Sequence, residues 1–356
     1  MVTTIGHISL AAPFCQAGLA GYSDRAMRLV ARRRGCPYAV TEALLDTILL
    51  SGGLGLKKSI DINDEDHPCA GQIMGAEPET MAPAARLLQQ AGYDVIDLNF
   101  ACPVKKVKAK ARGGHLLLDA GKAVDILKSV RDGLPPHVPT TISLRRGFDD
   151  SVESRERFLR IVEAAWAHGY AAVRVHARTV EQKYVGQSHW PFLADLKRRY
   201  PARTIVGSGD VFTAEDAVRM KRETNVDIVW IARGAIGNPW IFKHAADVLG
   251  EATQASQLQP PSIGEQRDAL AEHFSEAMQL HGEELAGRRM RKMGIKYSRF
   301  HPEAPLVKAD FINVRSLRDW SNVLDRWYAT DGPGAWPSPT TADEVNAADL
   351  QACEAG

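Results

Sequence analysis

Short apolar runs and longer amphipathic segments alternate along about the first 248 residues of the chain. The runs rich in β-branched and apolar side chains predict eight strands, over residues 11–17, 38–41, 69–74, 95–100, 140–145, 172–177, 204–208 and 228–232. Eight strand–helix units close naturally into an α/β fold, the (β/α)8 or TIM barrel. An open doubly wound sheet is the alternative, and it is disfavoured because no Gly-x-Gly-x-x-Gly turn follows the first strand.

The pattern changes after residue 249. Residues 250–266 have the Pro, Gly, Ser and Gln content of a linker, and residues 267–331 carry a helical pattern almost throughout. Residues 332–356 contain four acidic residues and no Lys or Arg, which is typical of a disordered tail. We therefore predict a barrel over residues 1–249, a linker, a small all-helical domain and a disordered end.

Composition excludes several classes of protein. The 356 residues are 45% hydrophobic and 24% charged, as in an ordinary globular protein, and the net charge of +1 gives no overall argument for a nucleic-acid partner. The five cysteines are widely spaced and form no CxxC pair, which disfavours a disulfide framework and a zinc site. Residues 5–20 lack the basic start of a signal peptide, and no apolar run has membrane-spanning length. We expect a cytoplasmic monomer with no membrane or metal partner.

Candidate chemistry follows from the barrel, because barrel active sites lie at the carboxyl ends of the strands. Glycine-rich turns, "GSGD" and "ARGAIGNP", follow the seventh and eighth predicted strands, and each precedes a helix. Backbone N–H groups and a helix N-terminus can bind a phosphate there, with Arg233 as a charge partner. The alternative is that both segments are simply tight turns.

Cys102 lies at the end of the fourth predicted strand and is followed by Pro103. A lone cysteine is most often a small buried apolar residue, but this one lies at the predicted catalytic rim. Five basic residues follow it: Lys105, Lys106, Lys108, Lys110 and Arg112. They form either a solvated helix face or a grip on an anionic polymer next to a thiol.

Several of these segments, taken together, resemble the tRNA-dihydrouridine synthases. They are "AGLAGYSDRAMR", "DLNFACPVKKVKAKARGGHLLLD", "RVHARTVEQKYVGQSHW", "GSGDVFTAEDA" and "IARGAIGNPWIF". "HGEELAGRRMRKMGIKYSRF" further resembles the helical domain of the bacterial B-type branch. The resemblance implies an FMN-binding catalytic barrel, a helical RNA-binding domain, a tRNA substrate and NADPH as the reductant.

The resemblance also implies a chemistry. NADPH reduces FMN, hydride passes from the flavin to C6 of a uracil, and a cysteine that Cys102 matches donates a proton to C5. A thiol with an ordinary pKa of about 8.5 is mostly protonated at neutral pH and can serve as the acid. A base must leave its stack to reach such a site, so the RNA backbone has to be held.

The family's contacts fall on specific positions of this sequence. Those implied to bind the cofactor are Ala17, Gly18, Leu19, Gln72, Ser143, His176, Ser208, Gly209, Asp210, Ala232 and Arg233. Asn99 is implied to bind the uracil, and the other candidate substrate or RNA contacts are Arg145, Arg178, Lys105, Lys106, Arg288, Arg289, Arg291 and Lys292. Structural roles are the alternatives: Asn99 could cap a turn, His176 could be a core histidine, and Asp210 could cap the helix near Thr213.

Some positions depart from the family pattern. Ser143 stands where the family usually has a lysine that supports the flavin, and a hydroxyl supplies no charge for the reduced flavin. Gly18 replaces a proline, Ala101 a glycine, Ser208 an asparagine and Met293 a histidine. These departures keep two other functions open: a flavin barrel acting on a small pyrimidine, and an RNA-binding paralogue without cofactor.

Overall fold

A closed ring of parallel strands forms the centre of the computed structural model, which describes residues 3–52, 60–103 and 111–337. The strands in these ranges are β1 (Thr3–Ile5), β2 (Ile8–Leu10), β3 (Phe14–Gln16), β4 (Ala39–Val40), β5 (Leu44–Leu45), β6 (Cys69–Met74), β7 (Val95–Phe100), β8 (Thr140–Arg145), β9 (Ala172–His176), β10 (Ile205–Ser208) and β11 (Ile228–Ile231). Strands β3, β4 and β6 to β11 pair in parallel in chain order, and Val229 of β11 lies opposite Phe14 of β3. This last pairing closes the ring, so the predicted TIM barrel is confirmed and the open sheet is excluded.

The described helices lie outside this ring and beyond it. They are α1 (Arg25–Arg32), α2 (Asp46–Ser51), α3 (Pro78–Gln90), α4 (Ala120–Asp132), α5 (Val152–Ala167), α6 (Trp190–Arg199), α7 (Ala214–Thr224), α8 (Ile241–Leu249), α9 (Ile263–His281), α10 (Glu283–Tyr297), α11 (Ala304–Asn313) and α12 (Leu317–Trp327). Helix α5 is typical of the outer layer: Ser151 caps its first turn, and Phe158, Ile161 and Val162 are fully buried beneath it. Among the described residues, no helix has the length and hydropathy to cross a membrane.

A β-hairpin, β1–β2, closes the amino-terminal end of the barrel, and the sequence pattern did not predict it. Ile5 and Leu10 are buried in one cluster with Tyr38, Val95 and Ile228, which lie at or near the amino ends of barrel strands. The apolar hairpin thus fills one end of the barrel, and the polar residues lie at the other end.

The second barrel strand is interrupted by a bulge. Strand β4 pairs with the start of β6, and β5 pairs with its end, at Leu44 opposite Ile73. Residues 41–43 of this strand lie opposite only residues 71 and 72 of β6, so the strand carries a bulge between β4 and β5. The bulge places the Thr41 hydroxyl 3.0 Å from the Gln72 N–H, which donates to it.

Helices α9 to α12 form the predicted helical region, and α9 packs on α1 of the barrel. Arg33 forms ion pairs with Glu272 and Glu276, and Arg34 pairs with Glu272. Helix α9 begins at Ile263, four residues before the predicted start, because Ser262 and Glu265 form a capping box.

Part of the predicted tail is ordered against this helical region. The Ala335 N–H donates to the Phe300 carbonyl at 2.8 Å, and Trp336 packs against Phe300 and His244. The remainder of the tail prediction, residues 338–356, lies outside the described residues.

Candidate active site

The carboxyl ends of the strands bring the predicted site residues together. Asn99 of β7 lies opposite Ser143 of β8, and Arg145 lies opposite His176 of β9, which lies opposite Ser208 of β10. Because alternate residues share one face of a strand, these side chains line the inside of the barrel mouth. The register therefore assembles one site from four neighbouring strands.

Cys102 lies in the turn after β7, and backbone hydrogen bonds fix this turn. Asn99 Oδ1 accepts from the N–H groups of both Ala101 and Cys102, at 3.0 Å each. The Gly114 N–H donates to the Cys102 carbonyl at 2.9 Å. A Cβ on Gly113, where φ is +57°, would lie 3.0 Å from Cys102 Cβ. Glycine at this position lets the following segment pack directly on the turn.

Exposure separates Cys102 from the other described cysteines. Cys15, Cys36 and Cys69 are buried, whereas Cys102 is partly exposed. Burial raises the pKa of the Cys36 thiol to about 11 and that of Cys69 to about 12, so both remain protonated and unreactive. Cys102 is the described cysteine that lies where a bound ligand could meet it.

A chain of side-chain amides runs from the Cys102 turn into the barrel. Asn99 Nδ2 donates to Gln72 Oε1 at 2.8 Å, and Gln72 Nε2 donates to Asp97 Oδ2 at 2.6 Å. The Ser143 hydroxyl donates to the same Asp97 oxygen at 2.9 Å. Asn99 thus caps the turn, as its structural alternative proposed, and it also links that turn to Gln72.

A charged side chain on the barrel floor, Arg174, was not among the predicted site residues. Arg174 lies opposite Ser143 in register, and its Nη1 is 3.3 Å from Asp97 Oδ2. Its guanidinium stacks 4.4 Å from the Trp230 ring centroid, and Nη2 donates to the Tyr38 hydroxyl at 3.0 Å. The position usually held by lysine is therefore neutral here, and a guanidinium lies beside it on the next strand.

Arg145, the last residue of β8, joins the loops that follow β7 and β9. Its Nε donates to the Ala101 carbonyl at 2.9 Å, and its Nη1 donates to the carbonyls of Thr179 and Lys183. Its guanidinium also lies 5.3 Å from the Tyr184 ring centroid. Burial lowers the pKa of Arg145 to about 10, so the group remains charged at neutral pH. The contacts place Arg145 as a support for the turn that carries Cys102.

His176 is neutral at physiological pH. Burial lowers its pKa well below the usual value, and the cations of Arg145, Arg178 and Arg233 lower it further. The Arg178 backbone N–H donates to His176 Nδ1 at 3.2 Å, so the ring proton belongs on Nε2. His176 therefore offers the site one N–H donor.

A second group of charges follows β9 and β10. Arg178 Nη2 bonds both Asp210 oxygens at 2.7 Å, and Arg233 Nη2 lies 3.4 Å from Asp210 Oδ1. Within the described residues, Arg178 Nη1 and Ser188 Oγ are buried without a hydrogen-bond partner. A Cβ on Gly209, where φ is +123°, would lie 1.9 Å from Ser188 Oγ. We name these five residues the anion end of the site, because cations and donors exceed acceptors there.

The helix after this turn has its own cap. Thr213 caps α7, and Asp216 completes a capping box, so the expectation that Asp210 could cap this helix is wrong. Asp210, with φ of +53°, instead faces the two arginines. Ala232 begins the turn after β11, and its carbonyl accepts from the Ala235 N–H at 3.0 Å.

The turn after β3 accounts for the glycine at position 18. Ala17 is buried and donates its N–H to the Ile231 carbonyl at 2.9 Å, while Leu19 donates its N–H to the Ser23 hydroxyl at 2.7 Å. A Cβ on Gly18 would lie 2.1 Å from the Thr41 carbonyl oxygen and 3.6 Å from Gln72 Oε1. Proline therefore does not fit at position 18 while Thr41 stays in place.

The basic residues predicted on α10 divide between two faces. Arg288 and Arg291 are exposed, whereas Arg289 and Lys292 face the barrel mouth. Arg289 lies 3.7 Å from Asp24, and Lys292 donates to the Gly21 carbonyl. Met293 is buried in the core of the helical region. Lys105 and Lys106 lie outside the described residues.

Comparisons with known proteins identify the family of this chain. Residues 15–325 match the family model described as dihydrouridine synthase. The chain is 33% identical to tRNA-dihydrouridine synthase B of Xanthomonas axonopodis pv. citri, over 91% of this chain and 95% of that one. It is 31% identical to tRNA-dihydrouridine synthase B of Pseudomonas aeruginosa, over 87% and 91%.

Two solved structures share the fold. A 2-naphthoyl-CoA reductase complex matches with a TM-score of 0.56 at 14% identity over 70% of this chain, and histamine dehydrogenase from Rhizobium sp. 4-9 matches with 0.52 at 15% over 77%. The match spans 52% and 50% of those two longer chains. From the family model and the sequence relatives together, the chain belongs to the dihydrouridine synthase family.

Proposed function

We propose that this protein reduces specific uridines of tRNA to 5,6-dihydrouridine in the cytoplasm, with FMN as cofactor and NADPH as reductant. The observation that carries the proposal is the position of Cys102, a partly exposed thiol in a fixed turn at the mouth of a barrel. The names of the curated relatives, tRNA-dihydrouridine synthase B, support the tRNA substrate.

The residues present fit a flavin mononucleotide. At the anion end, Arg178 Nη1 and Ser188 Oγ are buried donors without a partner among the described residues, as expected where a phosphate would bind. Two arginines share one carboxylate there, so the positive charge is in excess. Gly209 has no Cβ to obstruct the approach of a ligand to this turn.

The other end of the site fits the ring system. Gln72, the neutral His176 and the backbone of Ala17 and Gly18 offer directional donors and acceptors for a ring system. Bound and reduced FMN would supply hydride to C6 of the uracil. Ser143 is a neutral neighbour, and because its one hydroxyl hydrogen is donated to Asp97, it can only accept from a ligand.

Cys102 acts as the acid in this proposal. Its Sγ holds the proton that the uracil needs at C5, and the thiolate that remains lies near the Arg145 guanidinium. Asn99 keeps one amide hydrogen in addition to the one donated to Gln72, so it can also bond a uracil carbonyl.

The helical region supplies the hold on RNA. The exposed Arg288 and Arg291 are placed for phosphate contacts, since an extruded base requires the backbone on either side to be fixed. Arg289 and Lys292 bridge α10 to the barrel and so set the position of that surface relative to the mouth.

The test is an anaerobic titration followed by visible absorbance. Purified protein carrying its flavin is bleached with NADPH and then mixed with tRNA that lacks dihydrouridine. Return of the flavin absorbance, matched by new dihydrouridine in the tRNA, is the expected result. The control is tRNA that already carries dihydrouridine, which should leave the flavin reduced.

Other outcomes identify the remaining functions. Reoxidation by free uracil or uridine without any response to tRNA assigns a small pyrimidine as the substrate. Colourless protein that binds tRNA and does not take up FMN on reconstitution assigns an RNA-binding paralogue. Either result overturns the proposal.

A further inference from the structure

Asp97 lies at the centre of the polar contacts beneath the site. It is fully buried, and its two oxygens accept three side-chain hydrogen bonds. Oδ2 accepts from Gln72 Nε2 at 2.6 Å and from Ser143 Oγ at 2.9 Å, and Oδ1 accepts from Thr141 Oγ1 at 2.5 Å. A carboxylate only accepts hydrogen bonds, so each of these partners must present a donor.

This requirement fixes the orientation of the Gln72 side-chain amide and, through it, that of the Asn99 amide. Because Asp97 takes the Gln72 NH2 group, Gln72 Oε1 must face Asn99, which in turn presents its own NH2 group. Asn99 Oδ1 is then directed at the N–H groups of Ala101 and Cys102. Reversal of either amide would set two donors against each other.

Arg174 compensates the buried charge of Asp97 and leaves the orientation of the two amides unchanged. Its Nη1 lies 3.3 Å from Asp97 Oδ2, but its hydrogen-bonded donor, Nη2, is directed to the Tyr38 hydroxyl. The Trp230 ring supports the guanidinium from one side. The carboxylate therefore keeps its lone pairs for the side chains that lead to the mouth.

We propose that Asp97 is a positioning residue that holds the Cys102 turn through Gln72 and Asn99. The consequence for proton donation rests on the proposed function, whereas the effect on the turn does not. Asp97 contacts Gln72 and Ser143 but forms no hydrogen bond with the Cys102 turn, so its effect on that turn passes through the two amides.

The experiment measures the exchange of the Cys102 amide hydrogen in full-length protein labelled with 15N-cysteine. The chain has five cysteines, so the spectrum is sparse enough to assign by single substitutions. The Cys69 N–H bonds Asp94 Oδ2 at 2.6 Å, outside this chain of contacts, and serves as the internal reference.

Three variants separate the possibilities. Asp97→Leu, which removes both acceptor oxygens, should accelerate exchange at Cys102 about fivefold, the effect of one net hydrogen bond, with Cys69 unchanged. Asp97→Asn with Gln72→Glu should restore the slow rate, because an amide at 97 can donate to a carboxylate at 72 that still accepts from Asn99. Asp66→Asn, which removes a buried carboxylate paired with Arg28 on the outer layer, is the matched control and should leave Cys102 unchanged.

An unchanged Cys102 rate in folded Asp97→Leu protein would overturn the proposal. So would a double variant that exchanges as fast as the single one, since a purely structural carboxylate is not replaced by moving it to position 72. If neither Asp97 variant folds, Gln72→Ala breaks the same chain nearer the mouth. It should also accelerate exchange about fivefold, and slow exchange there overturns the proposal as well.

A second measurement, the turnover of tRNA, depends on the proposed function. Asp97→Leu should lower kcat while leaving KM for tRNA unchanged, because the RNA-binding surface is not altered. A changed exchange rate with no dihydrouridine formation even in the wild type would leave the positioning role intact and remove only the proposed activity.

Discussion

The thiol end of the mouth, around Cys102, and the anion end, around Asp210, are built from different kinds of interaction. At the thiol end, neutral amides donate and accept in a fixed order, from Gln72 through Asn99 to the backbone. At the anion end, two guanidiniums surround one carboxylate, and donors are left over. A chain of neutral amides fixes the geometry of the turn, because each amide has one orientation that satisfies its partners. An excess of positive charge attracts an anionic ligand and tolerates small displacements of that ligand.

The comparison predicts the largest effect at the thiol end. Cys102→Ala should lower dihydrouridine formation by about 10²- to 10⁴-fold, the usual contribution of a general acid. Bound flavin should stay at the wild-type level, because no contact of the anion end involves Cys102. Flavin content by absorbance and dihydrouridine by mass spectrometry make the two measurements.

Cys36→Ala is the control for that substitution, since Cys36 is buried outside the mouth. Its turnover should match the wild type when compared at equal folded fraction. Activity of Cys102→Ala near the wild-type level would show that the proton comes from another group, and the distinction between the two ends would fail.

A smaller effect of the opposite kind is expected at the anion end. Gly209→Ala places a Cβ 1.9 Å from Ser188 Oγ at a φ of +123°, so the turn must shift. Strain of this kind costs about 1–3 kcal/mol, which should weaken flavin binding about tenfold or more. Turnover of the fraction that retains flavin should be little changed, as fluorescence titration and single-turnover assays can determine.

Gly169→Ala is the matched control, because its φ is +80° with open space around the position of the new Cβ. It should lower stability slightly through the backbone alone and leave flavin binding unchanged. If both alanines weaken flavin binding equally, the close approach at Gly209 is irrelevant and the anion end is assigned wrongly.

The smallest effect concerns His176, which lies between the two ends. Its pKa is lowered by burial and by cations, so the unfolded chain binds its proton more readily than the folded one. This group's contribution to stability is complete above the unfolded pKa of about 6.5 and is lost as pH falls below that value. Relative to His176→Gln, the wild type should lose up to about 1.4 kcal/mol per pH unit there.

Denaturant unfolding of the two proteins from pH 8 to pH 5 measures this difference. The two stability curves should run parallel above pH 7 and converge or cross only below pH 6.5. A constant difference over the whole range would mean that His176 is not held neutral by its surroundings.

The sequence located the strand ends well, because that information is local. Runs such as 69–74, 95–100 and 140–145 were predicted with the bounds that β6, β7 and β8 have. Cys102 and the glycine-rich turns follow such ends directly, so their place at the mouth followed from strand order alone. Strand β4 lies within the run predicted over residues 38–41, whereas the hairpin β1–β2 and the two-residue strand β5 were too short to carry a pattern.

The contacts between strands were beyond the sequence. Arg174 could have been assigned to the barrel interior, because it alternates with His176, but its partner Asp97 lies two strands away in the sheet. Ser188 gave no signal, since it is a loop serine that meets the Gly209 turn only in the folded chain. For Asn99 the sequence allowed two roles, capping a turn or binding a ligand. In the structure its Oδ1 accepts from the Cys102 N–H, while its Nδ2 donates to Gln72.

The contact between Gly18 and the Thr41 carbonyl has an evolutionary consequence. With 2.1 Å between a new Cβ and that oxygen, no residue other than glycine is accepted at position 18 while the bulge between β4 and β5 keeps its present shape. The two sites are therefore epistatic. In this chain a single Gly18→Pro substitution is not tolerated, because a second change must first alter the bulge.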